Sequence, residues 1–167
     1  MTDGIRSAIE GAGAYLAEHP DEARYTDSLA TARVDDGLRI QVVGPNGETL
    51  ATDMPAAVGG SGSAPSPGWF LRAAVAACVT SLSVMRAAQL GMDGFTCKVE
   101  VDSESDDRGI LGLDASVPGG PLSMRIGFRM TGASREQLAA VANWAVEHCP
   151  VSDAVRRAVP VIIELVD

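Results

Sequence analysis

The sequence predicts an α+β domain, and three observations carry that expectation. Helical and alternating apolar patterns follow one another in blocks, not in strict strand–helix–strand rotation. One helical pattern, over residues 67–90, is long and rich in alanine. Apolar residues make up 46% of the chain and aromatics only 4%, a mix that fills a core with small aliphatic side chains. At 167 residues the chain is long enough for one domain of ordinary size.

Each element follows from its own spacing. Ile5, Ile9, Ala12 and Leu16 recur at helical intervals over residues 3–19, and Pro20 stops that helix. Leu29 to Val34 alternates, Asp35-Asp36-Gly37 signals a turn, and Leu38, Ile40 and Val42 alternate again. Gly44-Pro45-Asn46-Gly47 is a second turn before a strand from Glu48 to Asp53. Residues 29–54 are therefore a three-stranded antiparallel meander. A run of small residues from Val58 to Pro65 leads to Ser66-Pro67, an N-cap followed by proline at the first helical position. The helix from 67 to 90 ends at Gly91, with Leu71, Ala74, Val75, Cys78, Leu82 and Met85 on one stripe. Phe95, Cys97, Val99 and Val101 alternate as a strand, residues 102–121 form an acidic excursion, and Met124, Ile126, Phe128 and Met130 alternate again. Ser134 caps a helix to about His148, Pro150 opens a short helix over 151–158, and Val161 to Val166 is a final strand. The order is α-βββ-α-ββ-αα-β.

Charge and composition narrow the function. The chain carries 13 Lys and Arg against 22 acids, a formal charge of −9. Phosphate-binding surfaces run on clustered Lys and Arg, so nucleic acid is not an expected partner. The longest mainly apolar run, Trp69 to Val84, is broken by Arg72 and is shorter than a bilayer crossing requires. The Met-Thr-Asp-Gly start lacks a basic-then-apolar leader, and a cytoplasmic location is expected. No internal repeat appears.

Three cysteines, far apart, are the chemistry-bearing residues. Cys78 lies eleven residues after Pro67, deep in the apolar helix. It reads either as a small buried hydrophobe or as a nucleophile that needs a nearby cation. Cys149 precedes Pro150 at a helix start, where free N–H groups favour a thiolate; it also reads as a corner between two helices. Cys97 shares the inward face of its strand and reads as core filler. No C-x-x-C occurs, and His19 and His148 lack zinc spacing, so no metal or other cofactor is expected. The acidic stretch 102–107 places Leu113 where a calcium loop needs its bidentate Glu. Gly59-Gly60-Ser61-Gly62 precedes a helix without a Lys at phosphate-loop spacing.

Two segments together carry more than either alone. Gly59-Gly60, then Ala64-Pro65-Ser66-Pro67, then Leu71-Arg72-Ala73-Ala74-Val75-Ala76-Ala77-Cys78 resembles the first cysteine helix of the OsmC/Ohr family of thiol peroxidases. His148-Cys149-Pro150-Val151-Ser152-Asp153-Ala154 resembles the family's second cysteine motif. The resemblance covers residues 29–167, with residues 1–28 as an N-terminal helical extension of a single domain. It implies an interwoven homodimer, with a long central helix packed on curved antiparallel sheets. It also implies reduction of organic hydroperoxides. Cys78 would become a sulfenic acid, Cys149 would resolve it as a disulfide, and an external dithiol, in the family often a lipoylated protein, would restore both.

Two departures from the family pattern bear on the chemistry. The family helix begins Pro-Glu, and that Glu orients an Arg onto the reactive sulfur; here Gly68 follows Pro67. The Arg comes from the first hairpin, which offers Arg33 and Arg39, both alternating away from Ala32, Val34, Leu38 and Ile40. Arg72 lies about 240° around the helix from Cys78 and does not reach it from the same chain. The alternative implied is a non-catalytic member that binds a hydrophobic small molecule or senses oxidants.

Overall fold

The computed structural model describes residues 2–157 and 159–165. The chain forms two compact units, Glu10–Ala73 on one hand and, on the other, the residues up to Ile9 together with those from Ala74 onward. The elements run in the expected α+β order. α1 is Thr2–Glu18, closed by Pro20, which instead opens a short 3-10 turn, Pro20–Ala23. Ile5 and Ile9 are half-buried, whereas residues 11–18 of α1 are exposed.

In the Glu10–Ala73 unit, β1 (Thr31–Asp36), β2 (Arg39–Val43) and β3 (Thr49–Thr52) form an antiparallel meander in that order. Val34 pairs with Ile40, and Val42 with both Ala32 and Leu50. The first turn is built on Gly37 at φ 55°, beside a bulge between Val34 and Asp36. Every residue of β1 is exposed. After β3 the chain folds back on Asp53, whose carboxylate accepts hydrogen bonds from the backbone N–H groups of Met54, Ser61 and Ser63 and from the Ser61 and Ser63 hydroxyls. This buried carboxylate holds the loop that feeds the long helix. The loop is tight enough that a Cβ on Gly60 would stand 1.9 Å from the Met54 carbonyl oxygen.

The long helix, α2 (Pro67–Gln89), starts on Ser66, whose hydroxyl accepts from the Trp69 N–H at 3.3 Å. It ends at Gly91, which takes φ 69°. By length and hydropathy alone α2 is long and apolar enough to cross a membrane. One line of it is buried within the chain. Val75, Val79, Ser83, Ala87 and Ala88 are fully buried, a line of small residues displaced from the larger stripe that the sequence predicts. Small side chains let neighbouring elements come close, and the Ser83 hydroxyl is satisfied by the Val79 carbonyl at 2.8 Å.

From Ala74 onward, β4 (Thr96–Glu104) and β5 (Ser123–Thr131) form a long antiparallel ribbon. β4 runs to Glu104, past the expected end near Val101, so the excursion is shorter than 102–121. Asp102 pairs with Arg125 and Glu104 with Ser123 in the ladder, which carries the strand through its acidic end. The excursion holds a single turn of helix, α3 (Asp107–Ile110), capped by Asp106. One ribbon face presents Val99, Val101, Met124, Ile126 and Phe128 to the core; the other carries exposed ion pairs such as Arg129–Glu100. α4 (Arg135–Glu147) starts in a capping box of Ser134 and Gln137. α5 (Pro150–Arg156) follows after Cys149.

The expected final strand does not form over the described residues 161–165; Val166 lies outside them. Val161, Ile162, Ile163 and Leu165 are between 81% and 102% exposed. A strand exists only through its ladder, and in this single chain the segment pairs with nothing among the described residues.

Candidate active site

Helix α2 and the α4–α5 corner bring two sulfurs together. Cys149 and the buried Val75, Val79 and Ala145 form one cluster, and Cys78 packs against it together with Leu82, Val99, Val101, Met124, Ile126, Phe128, Val146 and Val151. Cys149 is fully buried, Cys78 is half-buried, and both are free thiols. Cys78 packs against the cluster that holds Cys149, and each thiol bears on the ionisation of the other.

Local sequence sets the Cys149 geometry. Pro150 fixes the first helical φ and has no N–H of its own, leaving the next N–H groups to face the residue before it. The Ser152 N–H donates to Cys149 Sγ at 3.3 Å. The Ser152 hydroxyl is buried beside that sulfur and has no hydrogen-bond partner among the described residues. The Val151 N–H bears on both sulfurs.

These contacts split the pair electrostatically. Burial pushes the Cys149 thiol up, but the Ser152 hydroxyl and N–H, the Cys78 thiol and the Val151 N–H outweigh it, and the net shift is downward. Burial pushes Cys78 up, the Cys149 sulfur adds to this, and the Val151 N–H only partly offsets it. Cys149 is thus shifted towards the thiolate and Cys78 away from it, as the helix-start position of Cys149 leads one to expect. Cys97 is half-buried on the inward face of β4; burial raises its thiol, with Ser83 acting against the rise.

Arg33 and Arg39 are both occupied within the meander. Arg33 donates through Nε and Nη2 to Gln41 Oε1 across the strand pair. Arg39 bonds Asp35 and the Ser63 hydroxyl. Gly68 sits exposed in the first turn of α2, and a Cβ there would meet Arg72 Nη1 at 3.8 Å, so a side chain fits. Trp144 of α4 lies between the Arg86 guanidinium, 5.2 Å from its ring centroid, and the stacked His148 ring. His148 Nδ1 lies 2.8 Å from the Trp144 carbonyl oxygen in that stack.

An open cleft of about 510 Å³ lies beside the cysteine cluster. Met124, Ile126, Phe128 and Val146 line it and also pack against the cluster, while Asn143, Glu147 and Arg156 give it a polar edge. Among the described residues, no group of three or more His, Cys, Asp or Glu could hold a metal ion.

Sequence reasoning missed Ser152 and Asp53. A Ser three residues after an N-cap Cys is a visible signal for the first. The Asp53 contacts span 8 to 10 residues of irregular loop, and no periodicity announces them.

Residues 60–164 match the family model described as OsmC-like protein. The match includes Gly68, Cys78 and Cys149 and leaves Arg33 and Arg39 outside. An OsmC-like protein from Mycoplasma pneumoniae superposes with a TM-score of 0.67 at 11% identity, over 80% of this chain and 90% of that one. An organic hydroperoxide resistance protein from Elizabethkingia anophelis gives 0.58 at 19% identity, over 80% and 91%. The organic hydroperoxide resistance protein OsmC of Legionella pneumophila gives 0.55 at 23%, over 80% and 92%. No curated protein matches the sequence.

Proposed function

The chain belongs to the OsmC-like family, and on that premise we propose that it is a thiol-dependent peroxidase that reduces organic hydroperoxides through Cys78 and Cys149. The observation that carries this reading is the packing of a half-buried free thiol against a buried one inside a single apolar cluster. Cys78 is the more accessible sulfur and takes the peroxide oxygen, becoming a sulfenic acid. Cys149 then displaces hydroxide from that sulfur and closes the disulfide. An external dithiol, such as the lipoyl group of a lipoylated protein, returns both thiols by exchange.

The cleft beside the pair, with its wall of Met124, Ile126, Phe128 and Val146, suits an alkyl hydroperoxide better than hydrogen peroxide. Three free thiols suit the reducing cytoplasm. A second copy of the chain completes the molecule as a homodimer, a reading supported by the exposed β1 and the bare apolar segment at 161–165. Residues 1–28 would be an extension to a domain at 29–167. Arg33 or Arg39 of the meander would serve as the activating cation, without the usual carboxylate at position 68.

The second reading is non-catalytic binding of a hydrophobic molecule, or oxidant sensing. The raised Cys78 thiol and Gly68 favour it. Turnover separates the two: cumene hydroperoxide should be consumed catalytically with a lipoyl dithiol as reductant. Cys78→Ser should lower kcat/KM by at least about a thousandfold, the scale of losing a nucleophile. Wild-type protein that consumes no more than the variant sinks the peroxidase reading.

A further inference from the structure

Protein interiors pair their polar atoms, and a buried hydroxyl without a partner calls for an explanation. Ser83 shows the usual outcome. It is fully buried in the middle of α2, and its hydroxyl donates to the carbonyl four residues back, on Val79. Ser152 lacks that outlet, because the residue four back is His148, which closes α4, while α5 begins only at Pro150. Ser152 is 4% exposed. Its hydroxyl is the one buried side-chain oxygen or nitrogen among the described residues that has no hydrogen-bond partner. Its place is specific. The Ser152 backbone nitrogen stands 3.3 Å from Cys149 Sγ, so the residue lies against a sulfur that is itself fully buried. Cys78 packs on the same cluster.

Sulfur chemistry accounts for an idle donor at this spot. A thiol sulfur is a weak acceptor, and a hydroxyl gains little from it. A thiolate is a charged acceptor, and hydrogen bonds to charged groups are the strong ones. We infer that the Ser152 hydroxyl is the donor that stabilises negative charge on the Cys149 sulfur each time the disulfide closes or opens. This rests on the peroxidase reading and adds a residue to it. In closure, Cys149–S⁻ attacks the sulfur of Cys78–SOH. The S–S bond forms, the S–O bond breaks, and the electron pair leaves on hydroxide, which takes up the proton that Cys149 gave up and becomes water. In opening, one thiolate of the external dithiol attacks the Cys78 sulfur; a mixed disulfide forms, and Cys149 departs as a thiolate. The second sulfur of the reductant, as its thiolate, attacks the first and releases Cys78. The two protons of the dithiol pass to the two cysteines; the dithiol is oxidised by two electrons and the pair is reduced by two. The hydroxyl stands in place before the charge appears, so no rearrangement is needed as it forms. Burial raises the Cys149 thiol, and the Ser152 hydroxyl is foremost among the groups that lower it.

Rapid mixing isolates the step concerned. Reduced protein is mixed with one equivalent of tert-butyl hydroperoxide, sulfenic acid on Cys78 is trapped with a cyclic diketone, and the disulfide is read by mass as the loss of two hydrogen atoms. Ser152→Ala should form sulfenic acid at the wild-type rate and close the disulfide at least about tenfold more slowly, the scale of a hydrogen bond to a charged group. Thr and Val share a shape and differ in the hydroxyl, so Ser152→Thr should close faster than Ser152→Val by a similar factor. Closure at the wild-type rate in Ser152→Ala, or equal closure in the Thr and Val variants, would overturn the inference and leave the peroxidase reading intact. So would an equal slowing of both steps in Ser152→Ala, the mark of a packing role. Thermal unfolding is a second measurement. A hydroxyl unpaired at rest leaves the melting temperature of Ser152→Ala no lower than that of wild type, and a lower one overturns the inference. Wild type that forms neither sulfenic acid nor disulfide removes the peroxidase reading and this inference with it.

Discussion

The two sheets of this protein differ in what covers them. The β4–β5 ribbon finds cover in its own chain: its apolar face packs into the cluster of Val75, Val79, Ala145 and Cys149, while its other face carries ion pairs. The β1–β3 meander alternates just as clearly, yet all of β1 is exposed and Val34 is 68% exposed. Alternation thus reports that a strand has two faces without saying what lies against the apolar one. The cysteine pair packs against the covered sheet; β1 of the other is exposed in the single chain, and so is the segment at 161–165.

The comparison breaks first on association. If a second copy covers the bare surfaces, Val34→Lys and Ile162→Lys should each weaken self-association by at least about a hundredfold, the scale of a central interface residue. Sedimentation would then move from about twice the chain mass of 17.3 kDa to that mass itself. Unchanged sedimentation would leave the bare faces unexplained by a dimer. Next comes the covered sheet: Val79→Ala, fully buried, should cost about 2 kcal/mol in urea unfolding, whereas Val34→Ala measured on the dissociated chain should cost less than about 0.5 kcal/mol. Equal costs would erase the distinction between the sheets.

Asp53 gives a smaller effect with a definite pH sign. The Ser61 hydroxyl, the Ser63 N–H and its other donors hold its carboxyl well below the usual carboxylate range. A depressed folded-state pKa contributes stability above the unfolded value, about 3.9, and loses it as pH falls through the folded value. Asp53→Asn should therefore lower the melting temperature at pH 7 by about 4 °C and flatten its decline below about pH 4. A variant whose acid decline runs parallel to wild type would remove Asp53 as the loop's anchor. The smallest effect is Gly68→Glu, which adds a good helix former and a negative charge to the first turn of α2. It should raise stability by about 0.5–1 kcal/mol, and a decrease would mean that position 68 cannot accept a side chain.

Most elements were legible because local chemistry announces them. Ser66-Pro67 and Ser134 are caps, Gly37 and Gly91 supply positive φ, and the alternation from Cys97 to Val101 faces Met130 to Ile126 in register. The end of β4 was not, since Asp102 and Glu104 look like loop until Arg125 and Ser123 stand opposite them. The final strand was over-read because Val161 to Val166 has strand composition, while a strand's existence depends on a partner elsewhere. At the site, position alone pointed to Cys149 as the more acidic thiol. That Cys78 lies against it, across 71 positions of sequence, came from the family resemblance, because no spacing rule links a helix interior to a distant helix start. The loop anchor at Asp53 was invisible for a similar reason: its five donors come from irregular chain.

The central claim is that Cys78 and Cys149 are one redox unit in the covered half of the molecule. The most direct test is peptide mapping by mass spectrometry, without reductant, after one equivalent of cumene hydroperoxide. The account predicts a protein lighter by two hydrogen atoms, one peptide pair joined through Cys78 and Cys149, and Cys97 still a free thiol. A disulfide that involves Cys97, or Cys78 and Cys149 both recovered as thiols once the peroxide has been consumed, would contradict it.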